Sequence, residues 1–237
     1  MEYVKFELKL FINLSITLII MTMVGTLTHE LGHYSVSKIL GYEGGINYQN
    51  SSFWAPEMDE FLNKTLKKYA VEIENNTDFP DKEKYQKITK KYHDDNFWFL
   101  LGGPLQTMLT GGIGFILLLV YRKRFITSEK IHFGGWTLIF ISLFWLRQFA
   151  NLFVGLLTYI LKGQTSQSND EARLANYLDL NIWTIEIITG IIALGILSKV
   201  LTWLPKKTVL TFLLSGIVGG ILGYYLWLIK FGKYIMP

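Results

Sequence analysis

The chain has 237 residues, half of them hydrophobic, 15% aromatic and only 18% charged. A soluble domain carries about a quarter charged residues, and the absence of cysteine excludes a disulfide framework or a thiolate metal site, leaving nitrogen and oxygen as metal donors. The net charge of +4 is dispersed over loops and helix ends, which suits an anionic lipid surface. No basic groove with interleaved aromatics argues for a nucleic-acid partner.

The deficit of charge is concentrated in particular stretches. Positions 10–28 hold no Asp, Glu, Lys or Arg, and a spanning helix needs about 20 mainly apolar residues. The spacing predicts a first helix that starts near Val4 and runs through Leu40 to stop at Gly41, with its membrane span over 8–40. At about 1.5 Å per residue it exceeds the hydrocarbon core, so its last turns reach an interface or a protein-lined cavity. Its apolar run lacks a small-residue cleavage site and reads as a retained span, not a removable signal. The polar segment 42–96 holds most of the acidic residues. Phe61, Leu62, Leu66, Tyr69, Ala70 and Ile73 recur there at helical spacing, 75–78 is a break, and Pro80 suits the first turn of a second short helix with Tyr85, Ile88 and Tyr92 on one face. An extramembrane helical hairpin is expected.

A second span is expected over 97–121, with Gly102, Gly103 and Pro104 near its start and Gly111, Gly112 and Gly114 later. Small residues allow close helix approach, and the proline frees a backbone carbonyl. The third, 133–161, has Arg147, Gln148 and Asn151 in mid-helix. The fourth, 183–204, has Glu186 and Lys199 near its ends, and the fifth, 208–230, follows Pro205. The expected fold is therefore all-α: a single polytopic membrane domain of about five transmembrane helices with the 42–96 insertion, integral to the cell membrane.

His29-Glu30-Leu31-Gly32-His33 carries the chemical signal. Residues four apart share a helix face, so both imidazoles can reach one ion, while Glu30 lies close enough to take a proton from water. Chance placement of this composition yields roughly 0.003 such motifs per chain. An ionisable cluster directly after an uncharged run is expensive in a membrane unless it has a function. Zn2+ suits two imidazoles and a carboxylate with a fourth position open. His93 and His132 lie in polar segments and are expected to be solvated.

If the chain alternates sides, the loop after the third span shares a face with the HExxH end of the first. Asp170 and Glu171 compete there for the role of third ligand. Ser168 and Glu171 have capping-box spacing, which gives Glu171 a structural task, so Asp170 is the expected ligand. Glu57, Asp59, Asp94 and Asp95 stay open as alternatives. Arg147 should face a cavity or a carboxylate such as Glu186. Asn151 is a candidate for holding substrate backbone or an oxyanion, and interhelical hydrogen bonding is the competing role.

Thr28-His29-Glu30-Leu31-Gly32-His33-Tyr34, running on to Ile39-Leu40-Gly41, resembles the first core helix of site-2-protease-type intramembrane zinc metalloproteases. Gly103-Pro104-Leu105 resembles the Gly-Pro motif of that family's second core helix, and Asn151-Leu152 with Asp170 resembles its third element. The resemblance implies a hydrolase with zinc held by His29, His33 and Asp170 and Glu30 as catalytic base; Gly103, Pro104, Asn151 and Arg147 are the candidates for positioning the substrate. The substrate would be a membrane protein or peptide cleaved in or beside the bilayer. The chain departs from the family at Glu171, where a glycine is usual, and at Thr107, where many relatives carry Asn. Counting basic residues in short loops puts the N-terminus in the cytoplasm, whereas the resemblance implies the reverse, which is the orientation expected here. A membrane scaffold that keeps the motif only for metal binding or regulation is the rival expectation. Oligomeric state is not legible.

Overall fold

The computed structural model describes residues 6–127, 130–165 and 169–237. It is an all-α bundle with five helices long and apolar enough to cross a membrane. The first, α1 (Leu8–Ile39), runs uninterrupted for 32 residues and ends at Gly41, whose φ of 84° is open to glycine without strain. Its exposed side includes Ile12, Ile16, Ile20 and Val24, a stripe of aliphatic residues suited to lipid. His29, Glu30 and His33 are buried on the opposite side.

The 42–96 segment departs from the expected helical hairpin. It opens with a two-stranded antiparallel hairpin, β1 (Glu43–Ile46) and β2 (Ser51–Trp54), in register from Glu43 opposite Trp54 to Ile46 opposite Ser51. The turn is held by Asn47, whose Oδ1 accepts from the backbone N–H groups of Gln49 and Asn50 at 3.0 and 2.9 Å. Glycines at 44 and 45 and the shortness of the strands hide this element from periodicity. Two helices follow, α2 (Pro56–Lys68), with its proline in the first turn as the residue type prefers, and the short α3 (Ala70–Glu74).

Next comes α4 (Lys82–Phe125), a single helix of 44 residues. The short helix expected after Pro80 and the second span are one element: neither Gly nor Pro occurs between Tyr85 and the apolar run that starts at Phe97, so nothing breaks the helix there. At about 1.5 Å per residue it is roughly twice as long as a hydrocarbon core is thick. Its polar first third therefore projects beyond the apolar part. There Tyr92 Oη donates to Asp59 of α2 at 2.6 Å, which ties the insertion back onto the helix.

The third span joins α5 (Phe133–Ser142) to α6 (Leu146–Lys162) through a tight 3-10 turn at Leu143–Trp145. The short α7 (Asp170–Tyr177) precedes α8 (Thr184–Trp203). The last span runs through α9 (Lys206–Tyr224), a π-helical stretch at Tyr225–Phe231 and α10 (Gly232–Ile235). α1 is packed between α9 and α4, α5 lies on α4, and α6 lies on α8. Leu118, Ile139, Val200 and Phe212 form the main apolar core.

The crossing of α1 over α4 is set by two glycines. A Cβ built on Gly32 would stand 2.5 Å from the Gly102 carbonyl oxygen, and one on Gly102 would stand 2.7 Å from the Gly32 carbonyl oxygen. Neither backbone can yield, so the helices touch main chain to main chain. Gly102→Val is accordingly expected to destabilise the bundle by about 1–3 kcal/mol or more. Thermal unfolding in detergent reads this as a lowered midpoint; an unchanged midpoint would contradict the backbone contact.

Candidate metal centre

His29 and His33 stand one turn apart on α1, with ring planes at 81° and centroids 4.9 Å apart. Their Nε2 atoms lie 3.3 Å from each other, and the Asp170 Oδ2 lies 3.0 Å from the first and 3.2 Å from the second. A carboxylate oxygen and two imidazole nitrogens from distant parts of the chain thus form one small triangle. Both histidines are almost fully buried, at 0% and 4% exposure.

Each ring is oriented from behind. His33 Nδ1 donates to the Phe99 carbonyl at 2.6 Å, and His29 Nδ1 lies 2.9 Å from the Thr107 hydroxyl, which can accept. The Gly103 amide is also 3.3 Å from His33 Nδ1. A nitrogen that donates to a carbonyl has no lone pair left, so this is a close approach and not a second bond. With both Nδ1 atoms donating outward, the two Nε2 lone pairs face Asp170. Pro104, inside the same helix, has no N–H to donate to the Leu100 carbonyl.

Phe99, Gly103 and Thr107 recur every four residues, so one stripe of α4 meets the two imidazoles. A Cβ on Gly103 would lie 2.3 Å from His33 Nε2 and 2.6 Å from His29 Nε2, which means that only glycine fits against the donor atoms. The sequence marked Thr107 only as a departure from the family pattern and did not single out the Phe99 carbonyl; the i−4 and i+4 spacing about Gly103 is the signal that points to both.

Asp170 is delivered by α7. Asn169 caps that helix, accepting from the Ala172 N–H at 2.9 Å. The expected cap at Ser168 lies outside the described residues, and Asn169 performs the task. Asn169 also donates its amide to Glu186, so the loop before Asp170 is tied to α8. Leu174 packs on Phe99 and Leu100 of α4, while Asn96 Nδ2 donates to Tyr177 at 2.6 Å.

Glu171, the alternative third ligand, takes a different position. It is 1% exposed, accepts from Asn151 Nδ2 at 3.1 Å through Oε2, and leaves Oε1 without a partner. It makes no hydrogen bond or ion pair with either histidine among the described residues. Burial, helped by the adjacent Asp170 charge, pushes its carboxyl up to about 7. It lines a cavity of about 90 Å³ with Pro104 and Gln148, whose two amide atoms are also unpartnered. Asn151 thus spends one amide hydrogen on Glu171.

The other carboxylates weighed as ligands lie elsewhere. Glu57 and Asp94 are exposed, Asp59 bonds Tyr92, and Asp95 pairs with Lys91. His93 and His132 are exposed, as expected. Arg147 faces a cavity, and Glu186, the carboxylate expected for it, is bonded by Asn169 instead.

Glu30 is 4% exposed and accepts from Ser51 Oγ of β2 at 3.1 Å. One ligand atom each from His29, Glu30 and His33 lie within 4.8 Å of one another. The β-hairpin therefore folds back along α1 to reach the carboxylate between the two histidines.

The donor set fits a small divalent cation. A tetrahedral ion with bonds of about 2.0–2.1 Å has ligand atoms about 3.3 Å apart along each edge, and the three edges here measure 3.0, 3.2 and 3.3 Å. The donors are nitrogen and oxygen, each ring has an outward partner, and Glu30 stands to one side. Comparison with protein-family models, curated proteins and solved structures found no match to this chain. Thr107→Val, which removes the partner of His29, is expected to weaken zinc affinity by about 10–100-fold. Competition against a chromogenic chelator measures this, and equal affinity in the variant would show that the Thr107 contact is idle.

Proposed function

We propose that this chain is a membrane-embedded zinc endopeptidase of the site-2-protease type, multi-pass in the cell membrane, which hydrolyses peptide bonds in or beside a membrane segment. The observation that supports this most directly is the convergence of His29 Nε2, His33 Nε2 and Asp170 Oδ2 beside the buried carboxylate of Glu30.

Zinc bound by His29, His33 and Asp170 would supply a Lewis acid that polarises a carbonyl and acidifies water. The remaining work falls to the chain. Glu30 takes one proton as water adds to the scissile carbonyl carbon, then returns it to the amide nitrogen as the C–N bond breaks, leaving a carboxylic acid and an amine. Ser51 holds Glu30 by donating to Oε2, which leaves Oε1 for the proton. Thr107 and the Phe99 carbonyl fix the imidazole rings, so no reorientation is needed during reaction. Gly103 presents only backbone to the histidine edges, so no side chain obstructs the approach there. A cavity of about 610 Å³ begins at Thr26 and Thr107, beside His29, and has mainly apolar walls suited to a lipid-soluble segment.

Zinc content and cleavage of a fluorogenic apolar peptide in nanodiscs test the proposal together. The wild type is expected to hold one zinc per chain. Glu30→Gln should keep that zinc and lose about 10²–10⁴-fold in cleavage rate. His33→Ala and Asp170→Ala should lose zinc, whereas Glu171→Ala should keep it. A wild type that takes up no zinc after loading would sink the peptidase assignment, and full activity in Glu30→Gln would point to a scaffold that carries the motif without using it.

A further inference from the structure

Arg147 stands on α6 in the third span and lines the cavity of about 610 Å³. The walls come from α1, α4, α5, α6, α8 and α9 and are largely apolar, with Leu and Phe most frequent and Thr22, Thr26, Thr107, Asn151, Asn169 and Tyr224 as the other polar groups. The Arg147 Nε is buried without a hydrogen-bond partner, and no ion pair to Arg147 occurs among the described residues. None of the nearby carboxylates bonds it: Glu186 accepts from Asn169, Glu171 from Asn151 and Glu30 from Ser51.

A guanidinium does not shed its proton, and a charge inside a membrane protein is costly unless an anion meets it. Part of the cavity wall is formed by α9. A Cβ on Gly216 or Gly220 would meet nothing within 4 Å, whereas Gly219 and Gly223 are closed against α1. The glycines on the cavity side thus leave width for another chain. Thr107, the partner of His29, lines the same space, so whatever occupies it lies beside the metal centre.

We infer that this cavity receives an apolar peptide segment carrying an acidic side chain, whose carboxylate pairs with Arg147. The inference rests on the peptidase proposal and names its substrate class. A carboxylate can take two parallel N–H bonds from the guanidinium fork, while a wholly neutral segment would bury that charge unpaired. Selectivity therefore comes from the penalty on neutral segments as much as from attraction to acidic ones. A lipid phosphate has similar chemistry, but its headgroup would be cut off from water beside a centre built for peptide hydrolysis.

The test uses full-length protein with Glu30→Gln, so that capture does not depend on turnover, in phosphatidylcholine nanodiscs at about pH 8, well above the ordinary range of a Glu carboxyl. Phe149, a lining residue, is replaced by p-benzoylphenylalanine. The probes are two synthetic Leu/Ala peptides of about 22 residues, long enough to span, identical except for a central Glu or Gln. The Glu peptide should be photo-captured about tenfold more than the Gln peptide. Adding Arg147→Gln should bring the ratio to about one, and Arg147→Lys should keep part of it. Arg147→Gln removes an unpaired charge, so a thermal midpoint at or above that of the parent verifies that it folds.

Equal capture of both peptides with Arg147 in place overturns the inference, as does a preference that survives Arg147→Gln. Nanodiscs containing phosphatidylglycerol form the lipid arm: Arg147-dependent retention of that lipid, with no preference between peptides, also overturns it. Cleavage by the unmodified chain without any acidic preference would remove the inference and leave the peptidase proposal standing. Acidic preference without cleavage would do the reverse.

Discussion

The backbone contact between Gly32 and Gly102 is the constraint on which the rest depends. Helices with ordinary side chains at their crossing stay about 8–10 Å apart. Here each glycine carbonyl occupies the space that the other's side chain would need. One residue further along α4, Gly103 lies against the Nε2 edges of both histidines; one turn back, the Phe99 carbonyl takes the His33 proton; one turn forward, Thr107 meets His29. All three contacts are main chain or short side chain, so they exist only while the axes stay this close. A wider crossing would leave two imidazoles with unpaired Nδ1 atoms in an apolar interior, a cost of about 1–3 kcal/mol for each lost partner.

A second layer of order brings in Asp170 from the far side. Its helix is short, and α7 would not persist alone in water. Three ties replace intrinsic stability: the Asn169 cap, the Asn169 bond to Glu186, and the packing of Leu174 against Phe99 and Leu100. Phe99 serves twice, presenting its carbonyl to His33 and its ring to Leu174 and Phe53. Glu171 is drawn the other way by Asn151, so two adjacent carboxylates face different sites and carry different electrostatic burdens.

The β-hairpin closes the arrangement from above. Ser51 reaches Glu30, Phe53 stacks near Phe99 at 4.6 Å, and at the turn the Tyr48 carbonyl accepts from Trp227 Nε1 at 2.9 Å. One small element thereby links the histidine helix, the second span and the end of the last span. Gly232 permits that contact, since a Cβ there would stand 2.5 Å from the Tyr48 ring. The polar 42–96 segment is thus part of the frame of the site, beyond its role as an insertion.

By itself the sequence determined the class of the fold and the alignment of His29 with His33 on one helix face. Long uncharged runs leave few alternatives to spanning helices, because backbone polar groups in lipid must be satisfied within the helix. A four-residue histidine spacing is local, so the helix alone aligns the pair. Asp170 was legible in part, from loop sidedness and from the cap competing for Glu171, although the cap proved to be Asn169. Other features depend on contacts between residues far apart in the chain, which no window of sequence contains. The fold-back of the hairpin onto Glu30 and the commitment of Glu186 to Asn169 instead of Arg147 are of this kind. Tertiary structure decided them because each is a choice among several chemically equivalent partners, and only the spacing imposed by the Gly32–Gly102 crossing selects which partner lies within bonding distance.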